Sequence, residues 1–158
     1  MSKWPGNAHK ESTTFGGLSR SQLMSRIRSK GNRTTEQRLA TLLRKACLTG
    51  WRRHRPVLGN PDFVWPKARV AVFVDGCFWH GHECGKNISP RTNVEAWRDK
   101  IRRNRARDQR VGRSLRQQGW RVVRIWECTL AQRPESCIRR IRRALDNQVS
   151  TMYIRNLL

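Results

Sequence analysis

Apolar residues recur at Leu39, Leu42, Leu43 and Ala46, the three-and-four spacing of an amphipathic helix. The pattern predicts a helix that starts at Thr34 or Thr35, either a suitable N-cap, and that Gly50 stops. Glu36 falls in its first turn, three residues before Leu39 and on the inward side. Two strand-like runs follow, Pro61-Asp62-Phe63-Val64-Trp65 and Arg69 to Asp75, separated around Pro66-Lys67-Ala68; they read as an antiparallel hairpin. A turn centred between Ala68 and Arg69 would set Asp62 opposite Asp75 at the open end. The second run is apolar without alternation, as expected of a central strand buried on both faces of a mixed sheet. From Val94 to about Gln118 a long helix is predicted, striped by Val94, Trp97, Ile101, Val111 and Leu115 and ended by Gly119. Asp108 follows Trp97 by eleven residues, a rotation of only about 20°, so this acid lies on the apolar stripe. Arg121 to Trp126 forms a third strand. A last helix carries Cys137, Ile138, Ile141 and Leu145 inward and Arg139, Arg140, Arg142 and Arg143 outward. The class is α/β.

A length of 158 residues suits one domain. Residues 1–18 mix Gly, Ser, Thr and Lys without periodicity and are expected to form a flexible basic tail, leaving 19–158 as the single domain. Lys and Arg number 34 against 11 Asp and Glu, a net charge of +23, so the partner is a polyanion. Seven tryptophans among these cations favour nucleic acid over acidic lipid or protein, because flat rings stack on bases. The start lacks the apolar core of a signal peptide, and the longest apolar run, Val70 to Val74, is too short to span a bilayer. Five cysteines, an odd number, suit reduced thiols and metal binding better than a disulfide framework. The expected location is the cytoplasm, on the nucleoid, with no membrane partner.

The densest chemistry lies in Asp75-Gly76-Cys77-Phe78-Trp79-His80-Gly81-His82-Glu83-Cys84. Cys77, Cys84 and one of the two histidines, joined by the distant Cys128, would make a closed three-cysteine, one-histidine zinc site. His80 and His82 share parity, so alternation does not decide between them. The imidazole left over is available as general base or acid beside Asp62 and Asp75, whose carboxylates would hold Mg2+. Paired acids in so basic a chain point to a bridging cation. On an extended segment the adjacent Phe78 and Trp79 point opposite ways, and an exposed ring near a catalytic centre can wedge between base steps.

These residues resemble the very-short-patch repair DNA mismatch endonucleases. The likeness runs from about Ser19 to Leu130. It includes Met24-Ser25-Arg26-Ile27, Thr35-Glu36-Gln37-Arg38-Leu39, Asn60-Pro61-Asp62-Phe63-Val64, Gly76-Cys77-Phe78-Trp79-His80, Trp97, Lys100-Ile101, Asn104, Arg107-Asp108, Gly119-Trp120-Arg121-Val122 and Trp126-Glu127-Cys128. The resemblance implies a restriction-endonuclease-like fold, a central mixed sheet flanked by helices, with a structural zinc site. It implies Asp62 as the principal Mg2+ ligand with the main chain near Val74, His80 as the catalytic imidazole, and Glu36 and Asp108 as supporting acids. It assigns Cys77, His82, Cys84 and Cys128 to zinc and Phe78, Trp79 and Trp97 to DNA intercalation, with the basic helices gripping phosphates. The activity implied is nicking on the 5′ side of a thymine mispaired with guanine, the product of deaminated 5-methylcytosine. DNA-repair proteins are the expected further partners, and one asymmetric lesion suits a monomer.

The best-known family pattern has Thr-His before the Gly-Cys-Phe-Trp core where this chain has Val74-Asp75, so Asp75 is expected as a second metal ligand rather than a proton donor. Two other functions fit parts of the pattern: a restriction-type endonuclease that needs no mismatch, and a zinc-stabilised nucleic-acid-binding protein without catalysis. The inward acids Glu36 and Asp108 weigh against the last.

Overall fold

Three strands form one mixed sheet in the order β1-β2-β3 in a computed structural model that describes residues 33–84 and 93–155. Strand β1 (Phe63–Trp65) pairs antiparallel with β2 (Val70–Asp75), and β2 pairs parallel with β3 (Arg121–Trp126). The central strand is the one whose apolar run does not alternate, because flanking strands and both faces cover it. The tail expected over residues 1–18 lies outside the described residues.

Helix α1 (Arg38–Lys45) is preceded by a π-helical turn, Arg33–Gln37, so Thr34 and Thr35 sit inside the helical run and neither caps it. The wide first turn carries Glu36 inward, where it is 4% exposed. Gly50 does not end this helix. Cys47 does, with φ 54°, as Leu48 N–H donates to Leu43 O at 3.0 Å and Cys47 N–H to Arg44 O at 3.0 Å. Cys47, at this helix end, is exposed, whereas Cys137 is fully buried.

Helix α2 (Val94–Gln117) ends as its sequence predicts. Gly119 takes φ 78°, and Trp120 N–H closes back onto Leu115 O at 2.9 Å. Beyond β3 come a short helix absent from the sequence reading, α3 (Glu127–Gln132), and α4 (Pro134–Arg155), which buries Cys137 and Ile141 and exposes Arg139, Arg140, Arg142 and Arg143.

The sheet's two faces differ. Phe63, Trp65, Val70, Val72, Val123 and Ile125 pack on α1 and α4 through Leu39, Leu43, Cys137 and Ile141. Each such side chain contributes about 1.5–3 kcal/mol on burial. On the other face Ala71 and Phe73 meet Leu115 and Val111 of α2. Asp75 and Arg124 alternate with the first set and so join the α2 side. The architecture is α/β, a mixed sheet flanked by helices, as expected of a restriction-endonuclease-like fold.

The hairpin register differs from expectation. Phe63 faces Val72 and Trp65 faces Val70, because the loop is the four residues Pro66 to Arg69 and Arg69 takes φ 48°. That shift moves the Cα partner of Asp62 away from Asp75, and Asp62 instead accepts a bond from Val74 N–H at 2.7 Å.

Candidate active site

The segment after β2 is not extended. Residues 77–81 form consecutive turns, with His82 N–H bonded to Cys77 O at 2.9 Å. The turns separate the two histidines that parity left together. They also bring the Phe78 and Trp79 rings into contact, centroids 5.2 Å apart, where an extended chain would have opposed them.

One face of α2 holds this segment. Asn104 donates to Trp79 O at 2.8 Å, and Arg105 donates to His80 O at 3.2 Å and also to Gly81 O. Gly81 has φ 62°, and a Cβ there would lie 2.5 Å from the Ile101 side chain, so only glycine lets the turn approach the helix so closely. Further along the same helix, Asp108 Oδ2 stands 2.5 Å from His80 Nδ1. A carboxylate accepts but does not donate, so Nδ1 carries a proton, and in the neutral ring Nε2 is the acceptor. Nε2 lies 3.8 Å from Asp75 Oδ1.

Asp75, His80 and Asp108 thus place ligand atoms within 4.8 Å of one another. Arg124, which sequence reasoning left among ordinary strand residues, binds this group. Its Nε donates to Asp75 Oδ2 at 2.6 Å and its Nη2 to Asp75 Oδ1 at 2.8 Å, and Nη2 lies 3.2 Å from Asp108 Oδ1. Burial alone would depress the guanidinium, but Asp75 and then Asp108 outweigh it and hold its pKa above the ordinary value. The available signal was an arginine inside a strand whose alternation turns it toward the acids.

Burial pushes the Asp62 carboxyl up to about 6 from 3.8; the Val74 N–H bond opposes this, the charges of Glu36 and Asp75 add to it, and Arg53 opposes it. Glu36 is hydrogen-bonded to Arg53, a second residue the sequence did not single out. Three acids therefore share one negative field, which favours a cation at Asp62. Asp62 lies outside the tight group of Asp75, His80 and Asp108.

A second cluster unites Cys77, His82, Cys84 and Cys128, again within 4.8 Å. Cys128 Sγ is 3.4 Å from His82 Nδ1, close to the roughly 3.5 Å edge of a tetrahedral zinc site with one sulfur and one nitrogen ligand. Burial, with the neighbouring thiols of Cys128 and Cys84, pushes the Cys77 thiol up to about 12 against the Cys128 N–H bond. Such crowded thiols ionise together only around a metal ion. The Trp126 ring stacks on His82 at 4.3 Å and meets His80 edge-on at 6.4 Å, so it neighbours both clusters.

Phe78, Trp79 and Trp97 meet as a half-buried triad, with Phe78–Trp97 centroids at 5.1 Å and Trp79–Trp97 at 5.6 Å. Lys100 Nζ stands 5.1 Å from the Trp79 ring and 5.2 Å from that of Trp97. A cleft of about 560 Å³ opens beside His80, Asp108 and Arg124 and is lined also by His82, Arg105 and Arg116.

An acid–imidazole cluster on a mixed sheet, next to a thiol–imidazole cluster with the spacing to hold a metal ion and an arginine-lined cleft, suits a DNA endonuclease, a hydrolase of phosphodiester bonds. A family model described as DNA mismatch endonuclease Vsr matches residues 13–86. The type II nicking enzyme V.XorIIP of Xanthomonas oryzae pv. oryzae is 43% identical over 113 residues, 71% of this chain and 82% of that protein. The DNA mismatch endonuclease Vsr of Escherichia coli K12 is 42% identical over 98 residues, 62% of this chain and 63% of that protein. The catalytic domain of homing endonuclease I-Bth0305I aligns with a TM-score of 0.45 at 23% identity, over 69% of this chain and 90% of that one. The chain belongs to the DNA mismatch endonuclease Vsr family.

Among the described residues no helix is long and apolar enough to cross a membrane.

Proposed function

We propose that the protein nicks one strand of duplex DNA on the 5′ side of a thymine mispaired with guanine, acting as a monomer with Mg2+ at Asp62 and structural Zn2+ in the Cys77, His82, Cys84 and Cys128 cluster. The observation that carries this reading is the run Phe78-Trp79-His80, which joins two rings of the aromatic triad to the imidazole held by Asp108. A wedge that enters the stack at a weakened pair would bring the adjoining phosphate to the imidazole. The relatives' names, mismatch endonuclease and nicking enzyme, agree with a single-strand cut.

His80 Nε2 takes a proton from the water that attacks phosphorus. The new P–O bond forms as the P–O3′ bond breaks, and the 3′ oxygen leaves with a proton from solvent. Asp108 fixes the tautomer and balances the imidazolium. A divalent ion, when bound at Asp62, neutralises charge that builds on the phosphate. Glu36 steadies Arg53 beside Asp62. The exposed arginines of α4 are free to meet backbone phosphates.

The test is strand cleavage of end-labelled duplexes, mismatched and fully paired, in several sequence contexts, with Mg2+ and with EDTA. Mg2+-dependent cutting of the mismatched thymine strand alone is the expected result. Equal cutting of paired duplexes makes the protein a restriction-type enzyme, and binding without cutting removes catalysis.

A further inference from the structure

The atoms of Asp75, His80 and Asp108 form the kind of group that holds a second hard cation. The position is taken by a guanidinium. Both oxygens of Asp75 are engaged by Arg124, at 2.6 and 2.8 Å, and the same Nη2 reaches Asp108 at 3.2 Å. The guanidinium carbon stands 5.1 Å from the centre of the Phe73 ring, and a planar fork fixed on a ring and a carboxylate does not swing aside as a lysine would. Asp75 is 4% exposed and has little contact with solvent through which a hydrated ion could reach it. Arg124 is more open, with its side chain 24% exposed and lining the cleft beside His80. Its Nη1 is left without a partner among the described residues.

We propose that Arg124 is the second cation of the active site. Asp75 anchors it, Nη1 receives a non-bridging oxygen of the scissile phosphate, and Asp75 binds no divalent ion. The inference rests on the reading that Asp62 holds the one catalytic ion, and it revises the expectation of Asp75 as a second ligand.

Mn2+ is the probe, titrated into the full-length protein, purified without chelator, and followed by electron paramagnetic resonance; single-turnover nicking of mismatched duplex is measured in parallel. Wild type is expected to bind one ion beyond any in the thiol cluster, D62N none, and D75N one. R124M should bind duplex and ion but nick about 10²- to 10³-fold more slowly, with R124K recovering only part of the loss. R124M buries an unpaired carboxylate, so D75N/R124M, which removes both charges, guards against a folding defect. Its nicking should stay as slow as that of R124M. Two ions in wild type, loss of the ion in D75N, or wild-type nicking by the double variant would overturn the proposal. Retention of the ion by D62N would overturn the Asp62 reading instead, while the double variant still decides Arg124.

Discussion

Two clusters hang from one turn, and they divide the work of two histidines only two residues apart. His82 joins three cysteines, soft donors closed around a point and roofed by Trp126. His80 joins the buried Asp75 and Asp108, which lines a cleft, and these two carboxylates already carry a guanidinium. A closed set of soft donors suits an ion that stays and contributes folding free energy. A set of hard donors whose imidazole lines a cleft suits protons and phosphate. The difference lies less in the residue types than in the turns at 77–81, which stack one imidazole on Trp126 and set the other at an angle to it.

The strongest way to break this contrast is to attack the closed cluster. Cys128→Ser, or chelation, should unfold the region that ties the turn to α3, at a cost on the order of 10 kcal/mol if the site behaves as structural zinc sites do. Thermal melting with and without chelator measures it, and an unchanged melt would mean that the thiols hold no metal. The open cluster should respond oppositely. His80→Ala should keep the melting temperature and duplex affinity but slow single-turnover nicking by about 10² to 10⁴, equivalent to roughly 3–5 kcal/mol. Parallel losses of stability and rate in both variants would erase the distinction between the clusters.

The acids beside the open cluster give a pH test. Asp62 titrates at about 6 in the folded chain against 3.8 ordinarily, so its protonated form favours folding. Its contribution is full below 3.8, falls as pH rises, and is gone above about 6, a change of about 3 kcal/mol at most. Asp62→Asn has no such proton to lose. In EDTA the variant should therefore gain stability relative to wild type between about pH 4 and pH 7, by denaturant melts at each pH, and Mg2+ should restore the wild-type protein. A difference independent of pH would show that Asp62 is not held in a burial-raised state.

Much of this was legible because periodicity survives in the sequence. The central strand, the α2 stripe with Asp108 inside it, and the basic outer face of α4 all followed from spacing. The three cysteines of the thiol cluster were legible from residue chemistry, but the choice between His80 and His82 came only with the family resemblance, since parity describes strands and the segment proved to be turns. The hairpin register failed for a local reason: Arg69 adopts a left-handed backbone that nothing in its side chain announces. Thr34 and Thr35 look like caps, yet the chain is already helical at Arg33. Arg124 and Arg53 were missed because 34 basic residues hide the two that matter.

The smallest effect concerns the aromatic triad, where packing and DNA contact predict different outcomes for one substitution. Trp97 comes from α2 while Phe78 and Trp79 come from the turn, so Trp97 is the ring that can be removed with least disturbance to the residues leading into His80. If the ring stacks on a displaced base, Trp97→Ala should weaken binding to mismatched duplex by about 1–3 kcal/mol and leave paired duplex and the melting temperature nearly unchanged. Trp97→Phe should recover part of that loss. If the ring is only packing, the same change leaves a cavity costing about 3–5 kcal/mol of stability. Mismatch preference would then be untouched, because a packing defect weakens both complexes alike. Measuring both affinities at one stated salt concentration separates the cases, since the arginines set the affinity common to both duplexes and the rings set the difference between them.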